Sequence, residues 1–586
     1  MIKKLIRQML TAQILSALTV SLCLLIDSII IGRFLGVQAI AAYGLSNPIL
    51  LIIGAFGTAL SAGVQVVCSR ALGRGKQEEA NEGFSSAVGL AAVFSIPFMV
   101  LVLLFATQAS RLLGANSEVL LMDTRSYIRG FIIGAPATMG ALILVPFLQM
   151  AGQTGLLIAS VGAMTVIDIA LDILNVTVFH GGMFGMGLAS SLSYYGALLI
   201  GGSYFFSKKC FFRFSAKLIS LKKIRELFEC SIPAVFNMAS SVVLVFLMNR
   251  LLLNVGGSDA VAAFSVISTI GNASNCITTG LGGVSLTLTG IFYQEEDRTG
   301  LKTLLSEITR WSLILGAAVG LALVVFSPAA ASLFIKDPGP SKQLAVFGLR
   351  IYGPGLIPCC FVGALKNAYQ GARREKLTEL ISVMEGAAFP LLTAFLLSFP
   401  FGTKGALFYF TLGEALTLLA ICLIVRMKTR KSALKDLNVL MLPERFSEKA
   451  GDRMELDIQT IEDVAEGTAR VHSFCMERGQ DAKIANRLAV CFEEMASNVI
   501  LHGFTKDGRE HHLSFRISRN DGQWTIRFRD DCVSFDPIRY VPKGGPNDKG
   551  MGIRLVLQLA DEVRYTSTMN LNNLMIMMKD STVAGL

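Results

Sequence analysis

The sequence predicts a multi-pass α-helical membrane protein that carries a small soluble α/β domain at its C-terminal end. Of its 586 residues, 52% are hydrophobic and only 16% are charged, a composition too apolar for one ordinary soluble domain. About twelve apolar runs between residues 10 and 427 approach the roughly 20 residues that a helix needs to cross a bilayer. From residue 454 onward the pattern changes to short alternating and helical segments. The first part of the chain is therefore expected to lie in the lipid bilayer and the second part in water.

Basic residues predict the orientation of the spans. Lys and Arg collect before the first span, after the second, between the sixth and seventh, after the tenth and after the last. The alternate connections contain fewer of them. This is the positive-inside pattern, and it predicts a cell-membrane protein with both termini in the cytoplasm. The net charge of +10 is mainly this topology signal, so no nucleic-acid partner is expected.

The chain contains an internal duplication. GVQAIAAYGLSNPI, from Gly36, and GSDAVAAFSVISTI, from Gly257, share one pattern of small and apolar residues, and both follow a long apolar span. QMAGQT (149–154) and YQGARR (369–374) recur at nearly the same offset. Two parallel halves of six spans fit this offset, as in transporters whose site lies between repeats. A channel or receptor would have less need of such a duplication.

Two segments resemble the multidrug and toxin extrusion (MATE) antiporters. Residues 27–49 resemble their first span and loop, and residues 168–193 resemble their fifth span with its N-x-x-x-D motif and Gly-rich turn. The resemblance covers about residues 10–427 and implies a transporter domain, 1–427, with an N-lobe at about 10–206 and a C-lobe at about 223–427 that open alternately. The sequence departs from the family's pattern at one position in the fifth span, where Asp168 stands in place of the usual Asn.

Acidic residues inside the spans are the candidate transport residues. An acid in the bilayer costs roughly 2.5–3.5 kcal/mol on insertion scales, so it usually faces a cavity. Asp168 and Asp172 are four residues apart and share a helix face, and by resemblance Asp27 and Asp172 match the family's cation-site carboxylates. Three nearby carboxylates repel one another, which fits either proton exchange or a Na⁺ site of oxygen ligands. The alternative is that these acids are packing groups paired with a hydroxyl or an Arg; Glu385 and Glu414, in the last two spans, are further candidates.

The eleven cysteines show no CxxC or other metal-ligand spacing, and many lie inside apolar runs. We interpret them as small buried side chains in a reducing compartment.

Residues 428–452 are predicted to form a juxtamembrane linker, and residues 453–586 one small domain. Its predicted elements are a strand at 454–460, helices at 461–478 and 482–501, a hairpin that turns at 520–522, a helix at 552–560 and two closing strands.

Three motifs in this domain point to nucleotide chemistry. Glu494 and Asn498 share a helix face, where an acid can orient a hydroxyl for attack on a γ-phosphate and an amide oxygen can ligate Mg²⁺. Asp530 ends a strand, where a buried carboxylate could accept from an adenine amino group. Gly550 and Gly552 stand at a helix start, where bare backbone N–H groups can approach phosphates. In this order and spacing the motifs predict ATP and Mg²⁺ as cofactors.

The order of the motifs resembles the GHKL ATPase fold, of the histidine kinase type, and within it the anti-sigma-factor serine kinases. That resemblance implies phosphorylation of a protein partner with Glu494 as the base. Cys532 replaces the usual Gly after the adenine-reading Asp and is expected to crowd the base. The alternative is a GHKL fold that has lost nucleotide and serves as a docking module. Glu493 is interpreted as a solvated neighbour, and His502 as either a phosphate contact or a packing residue.

The sequence favours a H⁺- or Na⁺-coupled exporter of cationic or amphipathic small molecules with a cytoplasmic, kinase-like regulatory domain. RALGRGKQ (70–77) lacks the first Gly of a P-loop and ends in Gln, so the ATP domain is interpreted as signalling rather than as the motor. One alternative is a transporter-derived sensor whose activity is to phosphorylate or bind a cytoplasmic partner. A second is a flippase for a lipid-linked substrate.

Overall fold

The computed structural model describes residues 2–113, 115, 117–207, 210, 212–335, 338–432, 437–443, 446, 453–507, 509–520, 522–540 and 550–579. Of residues 20–22, 24, 25, 28, 37, 40, 41, 47, 258 and 520 it describes the backbone alone. Much of the predicted linker and Lys549 of the last motif lie outside the described residues.

The first part of the chain is a bundle of α-helices. They are α1 (Ile2–Ile30), α2 (Val37–Gly73), α3 (Gln77–Leu104), α4 (Ala106–Leu112), α5 (Glu118–Ile132), α6 (Ala135–Met150), α7 (Thr154–Leu174), α8 (Gly182–Gly202), α9 (Leu221–Gln294), α10 (Arg298–Phe334), α11 (Pro340–Gly371), α12 (Glu375–Val383), α13 (Phe389–Ala406) and α14 (Tyr409–Thr429). Among the described residues ten helices are long and apolar enough to cross a membrane, and the pair α5 and α6, bent by 49°, makes an eleventh. The predicted twelfth is α1, which is not in this count.

Two glycines mark the duplication in the backbone. Gly36 precedes α2 with φ 91°, and Gly257 breaks α9 into two spans with φ 65°. Both values lie in the left-handed region that favours glycine. The corresponding turns therefore begin the second helix of each half. We call α1–α8 the N-lobe and α9–α14 the C-lobe.

The lobes meet closely at one end of the bundle, which carries the α2–α3, α6–α7, α9–α10 and α11–α12 loops and which we call the docking end. Gln65 donates to Gly283 O at 2.9 Å, and Arg70 donates to Gln370 O and to Glu375 Oε1, both at 2.7 Å. A Cβ at Gly73 would lie 2.6 Å from a backbone oxygen of α9. The bundle is therefore closed at the docking end.

The second part of the chain is an antiparallel sheet with helices on one face. Its elements are β1 (Arg453–Ile458), α15 (Ile461–Met476), α16 (Ala482–Asn498), β2 (Leu513–Asn520), β3 (Gln523–Asp530), α17 (Met551–Leu559), β4 (Glu562–Thr568) and β5 (Leu571–Lys579), and the strand order is β1-β2-β3-β5-β4. Phe515, Ile526, Phe528 and Ile576 form the core with the helices. The helix and strand positions predicted from the sequence agree with these elements.

The opposite face of the sheet packs on the docking end of the bundle. A single cross-strand row, Glu455–Arg516–Arg527–Met575–Arg564, runs over all five strands on this face. Each of these residues alternates with a core residue, as strand geometry requires. The sheet therefore has a core face and a docking face.

In the described part of the chain four π-helical turns occur, at Ile31–Leu35, Asn175–Phe179, Met384–Ala388 and Val499–Gly503. Each follows or contains a sequence-predicted site residue, in this order Asp27, Asp172, Glu385 and Asn498. Single π-turns inside α-helices are frequent at functional sites.

Candidate functional site

Three carboxylates meet in the middle of the N-lobe. Asp27 comes from α1, and Asp168 and Asp172 come from successive turns of α7; their exposed fractions are 5%, 3% and 0%. Asp27 is close enough to both α7 carboxylates to repel them electrostatically. Packing of α1 on α7 thus adds the third acid to the pair that the four-residue spacing already aligned.

Among the described residues, no Lys, Arg or His pairs with the three acids of this cluster. The side chains of Ser190, Ser193 and Cys23 lie near Asp168. Among the described residues, Oδ1 of Asp168 and both carboxylate oxygens of Asp172 have no hydrogen-bond donor. Buried oxygens that lack donors can take a proton or a cation, whereas a purely structural acid would be paired.

The C-lobe holds a second acidic cluster with a different composition. Ligand atoms of Cys359, Glu385 and Glu414 lie within 4.8 Å of one another. The ammonium of Lys366, 8% exposed, donates to Glu385 at 2.7 Å. Because Lys366 neutralises one of the two glutamates, this cluster carries less excess charge than the N-lobe cluster. Lys366 was not singled out from the sequence, although a lone Lys within an apolar span is a usable signal.

The soluble domain contains a cavity of about 240 Å³ between α16, β3 and the β4–β5 hairpin. Six of the residues that line it are Asn498, His502, Asp530, Cys532, Tyr565 and Asn572. Oδ1 of Asp530 accepts from Asn572 Nδ2 at 2.7 Å and from the N–H of Cys532 at 3.0 Å. Burial raises the pKa of Asp530, and these two donors partly offset the rise.

Asn572 and Tyr565 support Asp530 and were missed by sequence reasoning. Tyr565 Oη donates to Asn572 Oδ1 at 2.7 Å and accepts from the N–H of Phe535 at 3.1 Å. Asn572 in turn donates to Cys532 O at 3.1 Å. The only signal available was a polar pair on the inward side of the two closing strands.

Cys532 fits beside the helix because residue 503 is glycine. An added Cβ at Gly503 would lie 3.0 Å from Cys532 Sγ, closer than real Cβ contacts normally come. The thiol lines the cavity and is half-buried, and burial raises its pKa well above the ordinary value. The substitution for the usual Gly is thus accommodated by a glycine on the opposing element.

Glu494 lies against the start of α17. An added Cβ at Gly552 would overlap Glu494 Oε2, so only glycine permits this approach. Gly550 is the N-cap of α17, and Asn498, one turn after Glu494, lines the cavity. Glu493 is exposed, as expected for a solvated neighbour. The structure therefore gathers Glu494, Asn498 and the α17 N-terminus at one edge of the cavity that Asp530 closes at the other.

The fold agrees with comparisons with known proteins. Residues 12–174 and 233–396 match the MatE family and together make up more than half of the chain. The chain belongs to the MatE family. In this MatE-family protein the two matched segments begin 221 residues apart, as Gly36 and Gly257 do, so the predicted duplication is confirmed. Residues 459–579 match the histidine kinase-like ATPase domain.

Relatives of this MatE-family protein include multidrug export proteins. MepA of Staphylococcus aureus (strain N315) is 24% identical over 396 residues, which cover 66% of this chain and 85% of the relative. MepA of Staphylococcus haemolyticus (strain JCSC1435) is 24% identical over 401 residues, which cover 67% and 86%.

Solved structures establish the fold of the transporter part. The outward-facing conformation of a multidrug resistance MATE family transporter of the MOP superfamily superposes with a TM-score of 0.68 at 19% identity, covering 73% of this chain and 96% of that one. A MOP superfamily transporter from Pyrococcus furiosus gives 0.66 at 20% identity, covering 74% and 97%. The predicted fold class is confirmed: a multi-pass membrane transporter of the MATE type with a C-terminal histidine kinase-like domain.

Proposed function

We propose that this MatE-family protein is a multidrug efflux antiporter that is coupled to H⁺ or Na⁺ and carries a cytoplasmic, ATP-binding regulatory domain. The observation that carries the proposal is the buried cluster of Asp27, Asp168 and Asp172, which no cation among the described residues compensates. The names of the MepA relatives support small organic substrates, and the basic loops support a plasma-membrane protein with the docking end in the cytoplasm.

The three acids supply the chemistry of coupling. Like charges in a low-dielectric cavity cannot all remain ionised, so the cluster gains stability when it holds a proton or a metal cation. A cationic substrate that approaches the same carboxylates competes with that ion. Exchange of one positive species for another at Asp27 and Asp172 is sufficient for antiport. The carboxylate oxygens of the cluster suit Na⁺ as well as H⁺.

Efflux from proteoliposomes tests the coupled-exporter proposal. A fluorescent organic cation should leave vesicles when an inward proton or Na⁺ gradient is imposed, and it should stay when the gradient is collapsed. Separate proton and Na⁺ gradients identify the coupling ion. Efflux that ignores both gradients would contradict coupling.

The soluble domain is proposed to bind Mg-ATP in the cavity beside Asp530. Asp530 would accept from the adenine amino group through Oδ2, because Asn572 and the Cys532 N–H both donate to Oδ1. Asn498 would hold Mg²⁺, and the N-terminus of α17 at Gly550 and Gly552 would face the phosphates. Glu494 would accept the proton of a Ser or Thr hydroxyl. When bound, ATP supplies the phosphoryl group.

Calorimetry on the purified full chain should separate these roles. Asp530→Asn should weaken ATP binding about tenfold or more, since a hydrogen bond to a charged group contributes about 1.5–3 kcal/mol. Asn498→Ala should remove the Mg²⁺-dependent part of the affinity. Glu494→Ala should bind ATP nearly as wild type and lose phosphoryl transfer. Equal affinity in all three variants and wild type would contradict the assigned site.

The pairing of Gly503 with Cys532 makes a further prediction. Gly503→Ala should push the Cys532 thiol into the cavity and weaken ATP binding, because the new methyl would stand 3.0 Å from Sγ. Adding Cys532→Gly should restore or improve the affinity, and Cys532→Gly alone should tighten it if the thiol crowds the base. An unchanged affinity in Gly503→Ala would show that the thiol has room elsewhere.

A second candidate function is a transporter-derived sensor whose activity is phosphorylation of a cytoplasmic protein. The observation that favours it is the placement of Glu494 against Gly552, where a catalytic base is expected in the serine kinase-like branch. Phosphate transfer from labelled ATP to a partner, with no gradient-driven efflux, would support the sensor and exclude the exporter.

A further inference from the structure

We propose that the ATPase domain is a latch on the closed cytoplasmic end of the transporter. It is fixed to the C-lobe by a buried ionic anchor, it holds the N-lobe through the β4–β5 hairpin, and the nucleotide cavity controls that hold. The inference deepens the proposed function and rests on it in one respect, namely that the two lobes move relative to each other during transport.

The anchor joins the docking face of the sheet to the α9–α10 loop of the C-lobe. Glu295 pairs with Arg527 at 3.3 Å and with Arg529, and Asp297 pairs with Arg516 and, at 3.1 Å, with Arg529. The side chains of both acids are no more than 3% exposed. Burial alone would raise the pKa of Asp297, but Arg516 and Arg529 hold it well below the usual range. Charges desolvated in this way separate only at high cost.

The contacts with the N-lobe are of another kind. Arg564 on β4 donates to Arg74 O at 3.1 Å. At the tip of the hairpin, Met569 N–H donates to Met150 O at 2.9 Å, and Asn570 Nδ2 donates to Gly152 O at 3.1 Å. These three bonds go to backbone carbonyls of the α2–α3 loop, the end of α6 and the α6–α7 loop. They involve no ionic partner on the N-lobe, so they can break and re-form far more readily than the anchor.

The backbone conformation and the burial of the hairpin tip suit its position between the lobes. Met569 and Asn570 have φ values of 56° and 59°, the left-handed pair of a two-residue turn between Thr568 and Leu571. Asn tolerates this conformation, but Met rarely adopts it. Met569 is 4% exposed and packs in the apolar cluster that the first turns of α1 share with α9 and α10. The tip thus sits at the junction of the two lobes, where any relative movement must disturb it.

The same two strands form the wall of the nucleotide cavity. Arg564 contacts the N-lobe, and the next residue, Tyr565, faces the cavity. Asn570 contacts the N-lobe, and two residues later Asn572 holds Asp530 and Cys532 O. A ligand that shifts Asn572 or Tyr565 therefore acts directly on the strands that hold the N-lobe.

A thiol reporter inside the closed gate tests the latch on the full chain. Ser69 is fully buried where α2 meets α9, and Ser69→Cys becomes reactive to a membrane-impermeant maleimide only when the lobes part at this end. The parent chain, with its own cysteines, gives the background rate. The latch variant is Arg564→Ala/Asn570→Gly, which removes two of the three bonds while Gly keeps the turn.

Without nucleotide, the latch variant should label at least about tenfold faster than the Ser69→Cys parent, which corresponds to about 1.4 kcal/mol in the gate equilibrium. The matched control is Arg470→Ala/Asn486→Ala, which changes the same residue types at exposed positions on the helical face. Equal rates in the latch variant and this control would overturn the latch. This comparison needs no ATP, so it decides the latch even if the domain binds no nucleotide.

Addition of saturating Mg-ATP tests whether the nucleotide cavity controls the latch. It should change the labelling rate of the Ser69→Cys parent severalfold and leave the latch variant unchanged. If calorimetry shows binding but the parent's rate does not move, the coupling between cavity and latch is overturned. If both proteins respond equally, the nucleotide acts by another route and the coupling is again overturned.

Discussion

Asp172→Asn should abolish gradient-driven efflux while the protein remains folded. Asp172 is fully buried, and both its carboxylate oxygens lack a donor among the described residues. The amide is the same size and can donate to Asp27 or Asp168, so the packing of α1 on α7 should persist. It cannot exchange a proton, and it removes the charge that attracts a cation into a low-dielectric cavity. The measurement is efflux from proteoliposomes under the proton and Na⁺ gradients described above.

Asp168→Asn is the matched control for this prediction. It makes the same chemical change one helical turn away and restores the residue usual in the family, so transport should be retained. An inactive Asp168→Asn variant would show that the additional acid is essential in this chain. Undiminished transport in Asp172→Asn would move the coupling site to the C-lobe, with Glu385 and Glu414 as the next candidates.

Asp297→Asn should detach the ATPase domain from the transporter. The change leaves Arg516 and Arg529 buried with one carboxylate fewer, and breaking a buried ion pair on one side costs about 3–5 kcal/mol. Each 1.4 kcal/mol is a factor of ten, so docking should weaken about a hundredfold or more. Thr566 on the docking face is 3% exposed, and the labelling rate of Thr566→Cys reports the undocked fraction.

Glu296→Gln provides the control for the anchor, because Glu296 is the exposed neighbour of both anchoring acids. It should leave the labelling of Thr566→Cys unchanged, and equal labelling in Asp297→Asn would contradict the anchor. The lowered pKa of Asp297 also sets a pH dependence. The ionised Asp297 stabilises docking fully above the pKa of an exposed Asp. This stabilisation is lost only as the pH falls towards the lowered pKa of Asp297. Docking strength should therefore be constant between roughly pH 5 and pH 8.

Much of the transporter could be predicted from the sequence, because a bilayer demands long apolar helices and basic cytoplasmic loops. The spacing of Asp168 and Asp172 placed them on one helix face without further information. That Asp27 joins them was known only by resemblance, since the packing of α1 on α7 is a long-range contact. The bond of Lys366 to Glu385 was missed because it joins two separate helices, although Lys366 itself could have been noticed as a Lys in an apolar span.

In the soluble domain, alternation predicted the hairpin of β2 and β3 and the positions of the helices. The docking face could not be recognised. Arg516, Arg527 and Arg529 alternate with core residues in the way that a solvated strand face does. Only their partners Glu295 and Asp297, more than 200 residues earlier in the chain, convert that face into a buried interface.

The shared strands β4 and β5 have a thermodynamic consequence. Coupling between two sites is reciprocal, so if nucleotide shifts the gate tenfold, the gate must shift nucleotide affinity by the same tenfold. Each change of lobe position during transport would then change the ATP affinity of the cavity and therefore the fraction of the domain that holds ATP. A cytoplasmic protein that binds only one of these two forms would respond to that change. In such a chain one conformational equilibrium would serve two functions. It would make export depend on the ATP concentration, and it would make ATP binding depend on the passage of substrate.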